Sequence, residues 1–314
     1  MCGNPNTRLL SRLIIDFLLL LAIYCVALVV LPQQLQTVQR GFHCSDDSLH
    51  YPYRQAWLTK IHLTIVVVAL PAAFILVVEM LRAAFVPSSA ELKQRFVFVG
   101  ARIPSFISEC YKIVGVYLFG LGLTLLVIRV TKYSTGRLRP YFFDVCQPKW
   151  SSEDDLEEED DQQLLSCELL SPGNATSYIG DYKCTEFAAS LELLSLVRHS
   201  FPSGFATSTS YAMFFLIYYA QARLFAPWLR LLRSTLQLAC GAIALLVCLE
   251  RISTNQNHIS DAAAGVFLGA TLASFVAVFV AHLFRQVRVK RRQWPRNEQI
   301  YGYAGYYNRA TYGY

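Results

Sequence analysis

The chain has 314 residues, of which 54% are hydrophobic and only 16% are charged, and its mean hydropathy is positive. Because an average soluble domain is about 25% charged, this composition excludes an ordinary soluble fold and indicates that the lipid bilayer is the solvent. The net charge of +6 does not indicate a nucleic-acid partner, since the basic residues flank apolar runs, where they would meet lipid headgroups.

Six apolar runs are each long enough to cross about 30 Å of hydrocarbon as a helix. They lie near Leu10–Leu31, Ile61–Phe85, Tyr111–Val130, Ala206–Leu224, Leu232–Leu249 and Ala262–Phe284. The pattern predicts an all-α, polytopic membrane bundle of about six transmembrane helices. We expect the first run to be retained, because it is longer than the apolar part of a signal peptide and lacks a cleavage-site pattern.

The basic residues at the ends of these runs predict the orientation of the chain. Six crossings place both termini on one side, and the basic clusters fall on that side: Arg8, Arg12, Arg82, Lys93, Arg95, Arg102, Arg223, Arg230, Arg233, Arg288, Lys290, Arg291 and Arg292. The positive-inside rule makes this side cytoplasmic. We therefore predict a membrane domain over residues 1–290 and a disordered, basic and tyrosine-rich cytoplasmic tail over residues 291–314.

The opposite, outward side carries the long loop 132–201. Its acidic run, residues 153–161, is interpreted as solvated loop, because it lacks the glycine turn of a calcium site. A glycosylation sequon begins at Asn174. Four cysteines occupy outward loops, and the sequence leaves all three of their pairings open: Cys44, Cys146, Cys167 and Cys184. No metal or cofactor is predicted.

Three polar strings lie at the outward ends of the apolar runs: Lys132–Pro140, Phe201–Phe205 and Glu250–Asp261. Taken singly, the first two have ordinary explanations, namely basic side chains that reach the headgroups and a helix cap by Ser203. The topology, however, places all three strings at one membrane face. Basic side chains would meet there with backbone N–H groups at a helix start, which is an arrangement suited to a phosphate.

The three strings resemble the motifs of the lipid phosphate phosphatases of the type 2 phosphatidic acid phosphatase superfamily, and among them the Wunen-like members. The family pattern is Lys, six residues, Arg-Pro; then Pro-Ser-Gly-His; then Ser-Arg, five residues, His, three residues, Asp. In that family the third-motif histidine attacks phosphorus, the aspartate orients it, and the second-motif histidine protonates the leaving alkoxide. The resemblance implies that the phosphate is held by Lys132, Arg139, Ser203, Gly204 and Arg251. It gives the orienting role to Asp261.

The chain departs from the family pattern at both catalytic histidines. Phe205 stands at the general-acid position and Asn257 at the nucleophile position. Phenylalanine has no proton to transfer, and a carboxamide nitrogen is a poor nucleophile because its lone pair is delocalised. The serine that precedes the third-motif arginine is replaced by Glu250, which brings a carboxylate near the predicted phosphate site.

Two other histidines offer a substitute. His258 lies one residue after the nucleophile position, and the family spacing from Arg251 to Asp261 is intact, so no insertion moves it into register. On a helix, one residue turns the side chain by about 100°. His199 lies four residues before Ser203 and is the less favoured of the two.

The sequence therefore predicts an outward-facing site for lipid phosphates of the phosphatidate, lysophosphatidate and sphingosine phosphate class, with catalysis impaired or absent. The alternative is an active phosphatase that uses a substitute histidine. A channel or transporter is less favoured, because we expect no span to hold an intramembrane carboxylate or a broken-helix pair of the sort that transport pathways use. The expected partners are lipid phosphates, membrane lipids and homo- or hetero-oligomers, and the plasma membrane is favoured over internal secretory membranes.

Overall fold

The structure is a computed structural model, which describes residues 5–85, 97–98, 101–102, 105–150, 166–167, 178–185, 191–224 and 227–284. The acidic run, the sequon at Asn174 and the tyrosine-rich tail lie outside the described residues, as does the predicted boundary at residue 290. The orientation of the chain in the membrane and its division into domains stay predictions.

The described residues are mainly helical. The α-helices are α1 (Pro5–Cys25), α2 (Leu31–Gln34), α3 (Lys60–Thr64), α4 (Leu70–Phe85), α5 (Ser105–Thr135), α6 (Phe142–Cys146), α7 (Leu191–Leu196), α8 (Gly204–Arg223), α9 (Arg230–Ser253) and α10 (Ile259–Phe275). Single π-helical stretches join α1 to α2 and α3 to α4 and extend α10: Val26–Val30, Ile65–Ala69 and Val276–Val280. Short 3₁₀ turns cover Asp47–Leu49 and Pro227–Leu229.

Five of these helical segments are long and apolar enough to cross a membrane: Leu10–Gln34, Lys60–Ala84, Phe106–Thr135, Arg230–Ser253 and Ile259–Val280. The predicted all-α polytopic membrane bundle is thus confirmed. The remaining predicted run corresponds to α8, whose 20 residues would span about 30 Å. It is less apolar because it carries polar side chains that are buried inside the bundle: Thr207, Ser208, Thr209 and Ser210.

Helix α8 is the centre of the membrane core. Its side chains Tyr211, Phe215 and Tyr219 are fully buried among residues of α4 and α5. Helix α10 packs closely on α8, because Gly269 allows its backbone to approach the α8 backbone at Thr207. Small residues permit such close contact between transmembrane helices. This packing brings the beginning of α10 next to the beginning of α8, which is where two of the three polar strings lie.

The premise that no span contains a carboxylate is wrong. Glu79 of α4 is only 3% exposed and forms ion pairs with Arg82, at 3.1 Å, and with Arg223, at 3.5 Å. Its Oε1 also accepts a hydrogen bond of 2.8 Å from Tyr219. Asp16 of α1 is a second example, which accepts a hydrogen bond from Tyr111. These hydroxyl and guanidinium partners compensate the charge of the buried carboxylate. Glu79 therefore links α4 to α8, and it does not by itself indicate a transport path.

Outside the bundle, a small cap is held by short antiparallel strands and two disulfides. Strand β1 (Phe42–His43) pairs with β5 (Tyr178–Ile179), and β4 (Pro148–Lys149) pairs with β6 (Lys183–Cys184), while β2 (Val97–Phe98) and β3 (Ala101–Arg102) form a separate hairpin. The structure settles the cysteine pairing that the sequence left open, as Cys44–Cys167 and Cys146–Cys184. Aromatic rings fill the cap interior: Phe42, Tyr141, Phe142 and Tyr182.

Candidate functional site

Arg139 follows the end of α5 and is buried, with 7% of its surface exposed. Its backbone N–H bonds to the carbonyl of Val197, and its guanidinium donates only to neutral oxygens, those of Gln256 at 3.1 and 3.2 Å and of His199 at 3.5 Å. Within the described residues, its buried Nε has no hydrogen-bond partner and no carboxylate forms an ion pair with it. Arg139 is thus a buried cation that no described carboxylate neutralises through an ion pair.

Lys132, in the last turn of α5, points at the beginning of α8. Its Nζ lies 3.6 Å from the position that a Cβ on Gly204 would occupy. Lys132 forms no hydrogen bond or ion pair with any residue that the structure describes. After burial, which is the largest cause, the charges of Lys132 and Arg139 both lower the pKa of His199. Lys132 therefore lies at the start of α8 and Arg139 beside the segment that leads into it, and neither forms an ion pair with a described carboxylate.

The start of α8 has no side-chain cap. Ser203 occupies the N-cap position, but its Oγ donates to Asn257 Oδ1 at 3.1 Å and does not reach the helix amides. Its backbone N–H donates to the carbonyl of Asp261 at 3.1 Å. Because the first N–H groups of a helix lack intrahelical partners and sit at the positive end of its dipole, this end is suited to an anion. The site thus combines Lys132, Arg139 and the amide end that begins at Gly204.

Asn257, which the resemblance places at the nucleophile position, forms hydrogen bonds that hold two segments together. It is 5% exposed, and both ends of its amide are used. Its Nδ2 donates to the carbonyl of Ser200 at 2.7 Å, and its Oδ1 accepts from Ser203. The amide thereby ties the segment before α10 to the segment before α8, and it has no atom left for chemistry on a phosphate.

Asp261 is fully buried and has three side-chain partners. Its carboxylate forms an ion pair with Arg137, accepts a 2.5 Å hydrogen bond from the Ser200 hydroxyl, and lies 3.3 Å from His258 Nδ1. Arg137 also donates to Ser260. Neither Arg137 nor Ser200 was assigned a role from the sequence. In the first polar string Arg137 lies between Lys132 and Arg139, to which the resemblance gives phosphate-holding roles. Nothing in the spacing of Arg137 indicates that it pairs with Asp261.

Arg251 is buried, and two of its three guanidinium nitrogens contact described residues. Its Nε lies 2.6 Å from Glu250 Oε2, which is an ion pair without hydrogen-bond geometry, and its Nη2 donates to the carbonyl of Leu58 at 2.6 Å. The guanidinium also lies 3.7 Å from the ring centre of Phe205. Phe205, which the resemblance places at the general-acid position, therefore contacts the arginine of the third polar string.

The two substitute histidines lie in different surroundings. His258 is the N-cap residue of α10 and lines an outer cavity of about 250 Å³ together with Arg40 and Arg137. His199 bonds through Nε2 to the hydroxyl of Thr37 at 2.8 Å. Burial, helped by Lys132 and Arg139, lowers the pKa of His199 to about 4. His199 is therefore neutral at pH 7. No group of three or more His, Cys, Asp or Glu side chains in the described part of the chain is placed to hold a metal ion.

This fold and site define a multi-span helical membrane protein with a group of buried basic and acidic side chains at one end of its bundle. Residues 113–285 match the family model described as the PAP2 superfamily. The chain belongs to this superfamily and, within it, to the lipid phosphate phosphatase family.

Curated relatives match along most of the chain. A Drosophila melanogaster protein that bears a phosphatidate phosphatase name is 33% identical over 91% of this chain and 73% of its own length. Phospholipid phosphatase 2 of Bos taurus is 33% identical over 85% of this chain and 83% of its own. Phospholipid phosphatase 1 of Mus musculus is 32% identical over 84% and 85%. No solved structure is a significant match.

Proposed function

We propose that this chain binds lipid phosphates at the start of α8 and lacks the phosphohistidine chemistry of its family. The observation that carries the proposal is that Lys132 lies against an uncapped helix start, that Arg139 contacts the segment leading into it, and that neither cation forms an ion pair with a described carboxylate. A buried arginine is costly unless something compensates its charge, and a bound phosphate would do so.

The loss of catalysis is supported by what occupies the two histidine positions. Asn257 uses both ends of its amide in structural hydrogen bonds, and Phe205 packs on Arg251. Without a nucleophile and a general acid, phosphate binding by the remaining charges can persist while phosphoryl transfer is lost. The ligand class that we propose is a phosphate monoester on a lipid, such as phosphatidate, lysophosphatidate or sphingosine phosphate, because the relatives are named for phospholipids and phosphatidate.

We further propose that the cap and the phosphate site face the extracellular or lumenal side, with the plasma membrane favoured. The two cap disulfides support this orientation, because disulfides persist in oxidising compartments. A glycan at Asn174 would test it.

Binding of short-chain phosphatidate to the purified full chain in detergent micelles tests the proposal. We expect saturable binding that dioctanoylglycerol, which lacks the phosphate, does not show. Lys132→Met should weaken the binding by about tenfold or more, because a charge-assisted hydrogen bond contributes about 1.5–3 kcal/mol. Equal affinity of the wild type and Lys132→Met for phosphatidate would refute the site.

A second candidate function is an active phosphatase in which His258 is the nucleophile. The observation in its favour is the contact between His258 Nδ1 and Asp261, because the family's aspartate orients its histidine and this contact leaves Nε2 available. A phosphate-release assay with phosphatidate separates the two functions. Release by the wild-type chain that His258→Ala abolishes would establish the second function, whereas the proposal expects no release from either protein.

A further inference from the structure

Two of the departures from the family pattern meet at one side chain, Arg251. Glu250 replaces the motif serine and pairs with the Arg251 guanidinium at 2.6 Å, while Phe205 replaces a histidine and stacks on the same guanidinium at 3.7 Å. Glu250 is 4% exposed and Arg251 also 4%. The arginine thus has a counter-charge on one side and an aromatic face on another, all within the protein.

We propose that Glu250 is an internal counter-anion that removes Arg251 from the phosphate site, so that the chain binds phosphate with Lys132 and Arg139 as its cations. This inference rests on the proposed function. It changes the role that the family resemblance implies for Arg251, from phosphate ligand to structural clamp. A phosphate approaching Arg251 would have to displace the Glu250 carboxylate, which has the same sign of charge and is already in contact.

The clamp holds the segment that leads into the second span. Arg251 Nη2 donates to the carbonyl of Leu58 at 2.6 Å, and Leu58 N–H donates to Glu250 Oε1 at 3.4 Å. The ion pair therefore binds both backbone groups of one buried residue. Thr59, the next residue, is the N-cap of α3. Arg251 and Glu250 consequently join the end of α9 to the beginning of the second span.

Phe205 stabilises the same arrangement. A guanidinium over an aromatic face is attracted by the ring quadrupole, and the attraction increases when the pair is removed from water. A histidine at this position would offer a titratable nitrogen near the phosphate, whereas the phenyl ring offers only its face. Glu250 and Phe205 therefore act together, since Glu250 supplies a negative charge next to the Arg251 guanidinium and Phe205 supplies an aromatic ring on which it packs.

Titration of the purified full chain in detergent micelles with dioctanoyl phosphatidate tests this inference. Glu250→Gln keeps the side-chain size but removes the charge, and we expect it to bind about tenfold more tightly, because Arg251 becomes free to donate to the phosphate. The double variant Glu250→Gln/Arg251→Met removes both charges and should bind within about twofold of the wild type, since the two residues are in contact and are removed as one neutral pair that takes no part in phosphate binding.

Glu79→Gln is the matched control, because Glu79 is another buried, ion-paired carboxylate, about 30 Å away along the second helical segment. It should leave the affinity unchanged. If Glu250→Gln does not fold, Glu250→Asp, whose carboxylate is shorter by one methylene, should show a smaller gain in affinity.

The outcomes separate this inference from the proposed function. Loss of binding in Lys132→Met together with an equal loss in the double variant would show that Arg251 is a phosphate ligand, and would overturn the inference while the proposed function stands. Unchanged affinity in a folded Glu250→Gln would overturn it as well. Unchanged affinity in Lys132→Met would overturn the proposed function itself.

Discussion

The carboxylate of Asp261 is paired with the guanidinium of Arg137, 124 residues away in the sequence. The family resemblance gives this aspartate the task of orienting a nucleophilic histidine, but the residue in that position is Asn257, which does not contact the carboxylate. Asp261 instead binds Arg137, Ser200 and His258. Asp261 is thus part of a hydrogen-bonded junction between three segments at the end of the bundle that adjoins the cap.

Removal of Arg137 should destabilise the protein. Arg137→Met leaves a fully buried carboxylate with one hydroxyl and one histidine as partners, and breaking a buried ion pair typically costs about 3–5 kcal/mol. We expect about 2–3 kcal/mol, because the Arg137 side chain is one-third exposed and solvent screens part of the interaction. The measurement is thermal unfolding of the purified protein in detergent. The double variant Arg137→Met/Asp261→Asn should recover part of the loss, and a double variant less stable than Arg137→Met would contradict the pairing.

Restoring the two histidines should not restore full activity. In Phe205→His/Asn257→His the nucleophile and acid are present, but Glu250 still holds Arg251. We expect little phosphate release from this double variant and clearly more, by about tenfold, when Glu250→Ser is added, because Arg251 then becomes available to a phosphoryl group. Equal release with and without Glu250→Ser would show that the carboxylate does not limit catalysis.

His199 should make the protein less stable in acid. Its pKa is lowered to about 4 in the folded state, against a usual value of about 6.5. Between these values the unfolded chain binds more protons than the folded chain, so the free energy of unfolding falls as the pH falls from about 6.5 to 4, and His199 adds no further loss below that.

The variant His199→Gln isolates this contribution, because glutamine keeps a polar contact with Thr37 and does not titrate. We expect the melting temperature of the wild type to decrease more than that of His199→Gln between pH 7 and pH 4.5. Parallel decreases in the two proteins would contradict the assignment.

The contact between α8 and α10 should not tolerate a larger residue at Gly269. A Cβ on Gly269 would collide with the α8 backbone at Thr207 and Tyr211, and overpacking typically costs about 1–3 kcal/mol. Gly241 of α9 is the matched control, since a Cβ there meets nothing within 4 Å. Gly241→Ala should leave stability unchanged or raise it by about 0.5–1 kcal/mol. The comparison is made by thermal unfolding, and equal effects of the two alanines would argue against the close approach of α8 and α10.

The sequence alone predicted the helical membrane bundle, because apolar runs long enough to cross the bilayer are a property of local composition. It also identified the family through three spaced motifs, which the family match confirms. The absence of the two catalytic histidines stays a prediction from the motif spacing. The prediction that no span holds a carboxylate was wrong for Glu79. The sequence does not show the partners, such as Arg82 and Tyr219, that make a buried carboxylate tolerable in a span.

Only the tertiary structure decided which groups pair. The bond between Arg251 and the carbonyl of Leu58 joins residues 193 positions apart, and the pairings of the four cap cysteines are similarly distant. Motif spacing indicates that side chains reach the same membrane face, but the packing of α8 against α10 fixes their distances and partners. For this reason the motifs predict family roles for Asp261 and Arg251, whereas in the structure Asp261 pairs with Arg137 and Arg251 pairs with Glu250.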